Sequence, residues 1–186
     1  MIYIDEDARK LVVEDAVNMV SEQRHEKALR FVRHSDQQLS LSAYLLLLRG
    51  LREEYGVSQP PVFSFNENGK PFIDNMPDVH FSLSHSKYVT ACAIDDSPIG
   101  IDIEIIRPVD HDLMEYTMND DELRIILASD DKNVAFFRYW TQKEAILKLT
   151  GEGISNEMKY VLNKSDNFNI ETTVSDKYVY SVARYK

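Results

Sequence analysis

The sequence predicts an α+β fold built from two small subdomains. Three observations carry that reading. Helix-like segments followed by strand-like segments occur twice along the 186 residues. No internal sequence repeat accompanies them. A turn signal, Asp95-Asp96-Ser97-Pro98, separates the two runs, so the division is set at 1–99 and 100–186.

The elements follow in order. Residues 2–4 alternate as a short first strand, and acidic, helix-compatible sequence runs on to Glu14 and Asp15. Residues 17–33 read as a helix, with Ser21 as N-cap and Ala28, Leu29 and Val32 as its apolar stripe. Residues 39–55 form the clearest helix. Leu41, Leu45, Leu48 and Leu51 repeat at helical spacing, and Gly56 stands where a C-terminal glycine belongs. Val62-Phe63-Ser64-Phe65 is a strand ended by the turn signal Asn66-Glu67-Asn68-Gly69. Phe81-Ser82-Leu83-Ser84 alternates, residues 88–94 make an apolar run suited to a buried strand, and residues 99–106 make another. In the second half, acidic helices are expected over 110–128 and a long helix over 133–149. Strands are expected near 158–162, 168–173 and 178–184.

Composition excludes several classes of function. Hydrophobic residues are 44% and charged residues 28%, an ordinary globular balance that argues against disorder. Lys plus Arg is 21 against 31 for Asp plus Glu, a net charge of −10. Nucleic-acid backbone and anionic lipid both call for a basic surface, so neither is an expected partner. The acidic excess is even: 10 basic and 15 acidic side chains in residues 1–99, 11 and 16 in the rest. Cys92 is the sole cysteine, which rules out an internal disulfide and argues against a cysteine-based zinc site. The densest apolar run, residues 43–48, falls far short of the ~20 residues of a membrane span. The start Met1-Ile2-Tyr3-Ile4-Asp5 lacks the basic and apolar regions of a secretory signal. A soluble, cytoplasmic, monomeric protein is expected.

Four segments could carry chemistry. In Ile99-Gly100-Ile101-Asp102-Ile103-Glu104-Ile105 the strand period of two puts the isoleucines on one face and Gly100, Asp102 and Glu104 on the other. Carboxylates stacked ~7 Å apart repel unless water, a base or a cation lies between them, and Mg²⁺ commonly takes one or two carboxylates plus phosphates. A half-exposed strand with its polar face in water carries the same pattern. In Trp140-Thr141-Gln142-Lys143-Glu144-Ala145-Ile146-Leu147-Lys148, followed by Leu149-Thr150-Gly151-Glu152-Gly153, helical spacing aligns Trp140, Glu144 and Lys148. Glu144 and Lys148 are also in the order of an ordinary surface ion pair. Gly69-Lys70-Pro71 and Phe81-Ser82-Leu83-Ser84-His85-Ser86 offer hydroxyls and an imidazole to an anion, or simply close hairpins. Arg24, Lys27, Arg30 and Arg33 recur every third residue, as a phosphate-binding stripe or as a solvated face.

Together these segments resemble the 4′-phosphopantetheinyl transferases, in the larger, pseudo-dimeric class that activates peptide synthetases and many fatty-acid and polyketide carriers. The family pattern (I/V)-G-(I/V)-D-x-E stands here as Ile99 to Glu104, and (F/W)-(S/T)-x-K-E-(A/S)-x-x-K as Trp140 to Lys148, about forty residues on. The Gly-Lys-Pro and Ser-His-Ser segments precede them in the family's order. The resemblance covers about residues 21–153.

The resemblance implies two similar halves with the active site at their interface, the coenzyme side in 1–99 and the metal carboxylates in 100–186. It implies transfer of phosphopantetheine from coenzyme A to a serine of an apo acyl or peptidyl carrier protein, with release of 3′,5′-adenosine bisphosphate. Asp102, Glu104 and Glu144 would be ligands of Mg²⁺, or of Mn²⁺ in its place. Lys148 and His85 would meet phosphate oxygens. Ser84, Lys70 and Pro71 would line the coenzyme pocket, and Arg24 and Lys27 would grip the 3′-phosphate. Glu122 falls where members have a glutamate proposed to deprotonate the acceptor serine. The chain departs from the family at Leu39-Ser40, where many members read Arg-Thr or Arg-Ser; Ser40 keeps a hydroxyl for the nucleotide. Two other readings remain at this point: a non-catalytic binder of coenzyme A or carrier, and a metal-dependent phosphoesterase.

Overall fold

The computed structural model describes residues 1–152 and 158–186, so Gly153 of the helix segment above lies outside the described residues. The chain forms two compact units, Met1–Ser97 and Pro98–Lys186.

In the first unit, β1 (Ile2–Asp5) is followed by α1 (Val13–Ala16), flanked by single 3₁₀ turns, then α2 (Glu22–Leu29) and α3 (His34–Tyr55). A small hairpin, β2 (Phe63–Phe65) and β3 (Pro71–Ile73), precedes β4 (His80–Ser86) and β5 (Val89–Asp95). The sheet is antiparallel in the order β1-β5-β4. α3 is apolar on two sides. Tyr44, Leu47 and Leu51 pack with Tyr3, Phe81 and Ile94, whereas Leu41 meets Val13, Ala16 and Ala28. Gly56 ends the helix in the left-handed conformation, φ 66°, and its N–H donates to the Leu51 and Arg52 carbonyls.

The second unit repeats this plan. β6 (Ile99–Ile105) is followed by α4 (His111–Thr117), α5 (Asp120–Ala128) and α6 (Lys132–Thr150), then by a 3₁₀ segment (Met158–Asn167), β7 (Phe168–Val174) and β8 (Tyr178–Tyr185). Its antiparallel sheet runs β6-β8-β7. In both units the first strand pairs with the last, and the last with the one before it. Two copies of one α+β topology are therefore present without a repeat in the sequence. Among the described residues, no helix is long and apolar enough to cross a membrane.

Three expectations are corrected. Residues 17–33 are not one helix. Val20 is extended, Ser21 caps α2 by accepting from the Arg24 N–H at 3.3 Å, and the helix ends at Leu29. Of the expected stripe only Ala28 is buried, and Val32 is 99% exposed. Arg33 lies outside α2, as the N-cap of α3, so the basic stripe is broken. α3 also begins five residues before the expected 39, because Gln38 is buried and donates to the Arg9 and Leu11 carbonyls at 2.6 and 2.8 Å. The strand expected at 158–162 is 3₁₀ helix. Its buried residues, Met158 and Val161, are three apart, which is the 3₁₀ period.

β6 is not half-exposed. Its isoleucine face is buried, and so are Gly100 and Asp102 on the other face, because α6 lies across them. A Cβ on Gly100 would collide with the Ala145 carbonyl oxygen and stand 2.6 Å from Leu149 N. Gly100→Ala is therefore expected to destabilise the chain by about 3 kcal/mol, the upper end for overpacking, because the obstructing atoms are backbone. A urea titration checks this; an unchanged midpoint would mean that α6 is not seated there.

Candidate active site

The close seating of α6 brings chemistry to the polar face of β6. Asp102 is opposite Ser181 in the sheet register, and Lys148 Nζ donates to Asp102 Oδ1 at 2.7 Å. Glu104 is held by Arg107, Nη1 to Oε2 at 2.7 Å, and that guanidinium also lies 4.8 Å from the Phe137 ring centre. Glu144 is buried, and its Oε1 has no hydrogen-bond partner. Its pKa is raised to about 7, first by burial and then by the neighbouring Asp102; Lys148 opposes the rise and Glu104 adds to it. Asp102, Glu104, Glu144 and Lys148 therefore share one electrostatic environment. Trp140, four residues before Glu144, is half-buried and stacks obliquely on Phe136, 5.8 Å away.

Among the described residues, no group of three acidic, imidazole or thiol side chains stands ready to hold a metal ion. The resemblance implies that the three carboxylates meet at one cation. In the structure, basic side chains engage two of them. The donor set nevertheless suits a hard divalent ion: all oxygens, and a Glu144 oxygen without a hydrogen-bond partner whose charge burial disfavours.

Glu122 is buried at the start of α5 in a capping box: Asn119 Oδ1 accepts from the Glu122 N–H, and Glu122 Oε2 accepts from the Asn119 N–H at 3.0 Å. The same Oε2 accepts from Lys143 Nζ at 2.5 Å. Lys143 is wholly buried and donates also to the Thr117 and Lys159 carbonyls. Burial holds its pKa below the usual lysine range, against the pull of Glu122. Lys143 stood in the sequence motif with no role assigned. Its partner is twenty-one residues away in the chain, and no local spacing signals that pairing.

In the first unit, Arg24 and Lys27 share a pocket of about 60 Å³ with Gln23, Phe63, Phe65, Pro71, Phe81 and Leu83. Arg24 is fixed from below: Nη2 donates to the Ser40 carbonyl and, at 2.9 Å, to Ser40 Oγ, while the guanidinium lies 5.2 Å from the Tyr44 ring centre. Burial lowers the pKa of Arg24, and burial plus the nearby Arg24 lowers that of Lys27. The structure thus brings Arg24, Lys27, Ser40 and Pro71 together. Ser40 serves as a bracket for Arg24 through its carbonyl and its hydroxyl. Arg30 and Arg33 do not line this pocket.

Lys70 closes the β2–β3 hairpin, its N–H donating to Asn66 Oδ1 at 2.8 Å, and burial lowers its pKa. On β4, Ser84 is buried and His85 is exposed. The aromatic pocket walls Phe63, Phe65 and Phe81 were missed by the sequence reading; the alternation Phe-Ser-Phe was the available signal.

Two outcomes are expected. Lys143→Ala should cost about 3–5 kcal/mol by leaving Glu122 buried and uncompensated, a loss read from the urea midpoint. The raised pKa of Glu144 means that its protonated form is favoured on folding. Its contribution is complete below the unfolded value of about 4.5 and is lost as pH rises towards about 7. In metal-free buffer, Glu144→Gln should therefore flatten the fall of thermal stability between those pH values; an identical slope in the variant would refute the assignment.

Comparison with known proteins identifies the family. Residues 98–183 match the family model described as the 4′-phosphopantetheinyl transferase superfamily. The chain is 36% identical over 154 residues to the 4′-phosphopantetheinyl transferase psf-1 of Bacillus pumilus, covering 81% of this chain and 66% of that protein. It is 32% identical over 157 residues to the 4′-phosphopantetheinyl transferase Sfp of Bacillus subtilis strain 168, covering 83% and 70%. The chain thus spans about two thirds of the length of these relatives. With its second unit matched along almost its whole length, and with identity this high reaching well into the first, the chain belongs to the 4′-phosphopantetheinyl transferase superfamily, within its Sfp-type group of enzymes.

Proposed function

We propose that this chain transfers the 4′-phosphopantetheine group of coenzyme A to a serine hydroxyl of an apo acyl or peptidyl carrier protein, dependent on Mg²⁺, with release of 3′,5′-adenosine bisphosphate. The observation that carries the reading is the seating of Glu144 and Lys148 over Asp102 on the strand beneath α6. Phosphoryl transfer needs chiefly positioning and neutralisation of phosphate charge, and this cluster offers both.

Asp102, Glu104 and Glu144 are the residues that would hold the cation, Mg²⁺ or Mn²⁺. When bound, it supplies Lewis acidity to the pyrophosphate. The Lys148 side chain is 29% exposed, and its ammonium, bonded to Asp102, can share its charge with a phosphate oxygen. His85, exposed on β4, offers a second donor to phosphate. Arg24 and Lys27 take the 3′-phosphate, with Ser40 as the bracket of Arg24 and Pro71 in the wall of the same pocket; the family resemblance adds Lys70 and Ser84 to the coenzyme site. The acceptor serine is a weak nucleophile at neutral pH and needs a base. The family position gives that role to Glu122, whose Oε1 is buried without a hydrogen-bond partner while Oε2 is committed to Lys143 and Asn119. The setting is the cytoplasm and the working form a monomer.

The test is incubation with coenzyme A, Mg²⁺ and a panel of apo carriers, read by intact mass. A carrier gaining one phosphopantetheine is the expected result, and no gain on any carrier would overturn the reading. Asp102→Asn should slow transfer by about 10²–10³-fold while leaving the circular dichroism spectrum unchanged, because it removes anionic charge without removing shape. Near-normal turnover of that variant at limiting Mg²⁺ would show that Asp102 holds no metal.

A further inference from the structure

β2 carries Phe63 and Phe65 two residues apart, so both rings lie on one face of the hairpin. Their surroundings differ. Phe63 is fixed in the core, edge-on to Tyr44 at 5.8 Å and tilted against Phe81 at 5.5 Å between ring centres. Phe65, one step farther along, passes beyond that packing and is 49% exposed. Lys27 Nζ stands 5.9 Å from its ring centre, and both rings line the pocket that holds Arg24.

Exposure alone does not single out Phe65. Phe72 on the opposite face of the same hairpin is 44% exposed, but it is not among the residues that line this pocket. Phe65 differs in standing at the rim of an apolar floor, beside two cations whose charge burial disfavours. Such a site suits a ligand with a flat aromatic part and an anionic part close together. An aliphatic anion would use the cations and leave the ring in water.

Building on the transferase reading, we propose that Phe65 is a specificity-determining residue for the nucleotide end of coenzyme A. Its ring is the platform on which the purine stacks, while Arg24 and Lys27 take the adjoining phosphate. Arg24, backed by Ser40, and Lys27 account for the phosphate, and Pro71 for part of the pocket wall; Phe65 accounts for the base.

The experiment is calorimetric binding of 3′,5′-adenosine bisphosphate and of inorganic pyrophosphate to the full chain, as wild type, Phe65→Ala, Phe65→Tyr and Phe72→Ala. Phe65→Ala should weaken the adenosine ligand roughly ten-fold and leave pyrophosphate unchanged, and Phe65→Tyr should restore the affinity. KM for coenzyme A should rise in parallel, with kcat unaltered. Phe72→Ala should behave as wild type. Unchanged adenosine affinity in Phe65→Ala overturns the proposal, as does an equal loss of both ligands. If the binding difference appears but no carrier is modified, the transferase reading fails while the role of Phe65 stands.

Discussion

The contact of α6 with β6 at Gly100 is the constraint on which the candidate active site depends. With no side chain at Gly100, the helix backbone at Ala145 and Leu149 comes down directly onto the strand. A helix lying this low carries its neighbouring residues, Glu144 and Lys148, to the level of Asp102. Its rotation is pinned as well. Thr141 Oγ1 and Thr172 Oγ1 lie 2.8 and 2.9 Å from Ser181 Oγ, and Gln142 donates to Thr172 at 2.9 Å. A buried hydroxyl chain of this kind has little slack, since sliding the helix would strand its members without partners.

The two adjacent charged residues of the helix motif divide the labour. About 100° of helical rotation separates Lys143 from Glu144. Glu144 turns towards the strand. Lys143 turns the other way and ties together the end of α4, the cap of α5 and the backbone at Lys159. Burying that ion pair carries a desolvation cost that its attraction does little more than offset. What the pair supplies is a fixed location for Glu122, which local capping alone would leave free to fray. One residue of the motif is architecture, and its neighbour is the one to which the proposed function gives a chemical role.

Local pattern made much of this legible. The span of α6, the alternation of β6 and the glycine after α3 all follow from spacing that an isolated segment already displays. Spacing offered Arg24, Lys27, Arg30 and Arg33 as one stripe, and only the family resemblance singled out the first two. What escaped was set by tertiary contact. Nothing in Ile99 to Ile105 says that a helix covers the side bearing Asp102, because a polar face looks alike whether water or a helix lies over it. Lys143 with Glu122 and Arg24 with Ser40 are long-range pairs, invisible to periodicity. Residues 158–162 misled because five mixed apolar and polar residues fit a strand and a 3₁₀ turn equally well.

The pairing of Asp102 with Lys148 and Glu104 with Arg107 has a consequence for charge balance. Each carboxylate on the strand arrives with its own counter-charge, and burial together with Asp102 favours the neutral form of Glu144. The cluster is therefore close to electroneutral as the chain folds, and its architecture needs no ion as a template, unlike small domains that metal binding must nucleate. A bare divalent cation entering it would upset that balance. A cation accompanied by the negative charge of a pyrophosphate would leave it nearly unchanged.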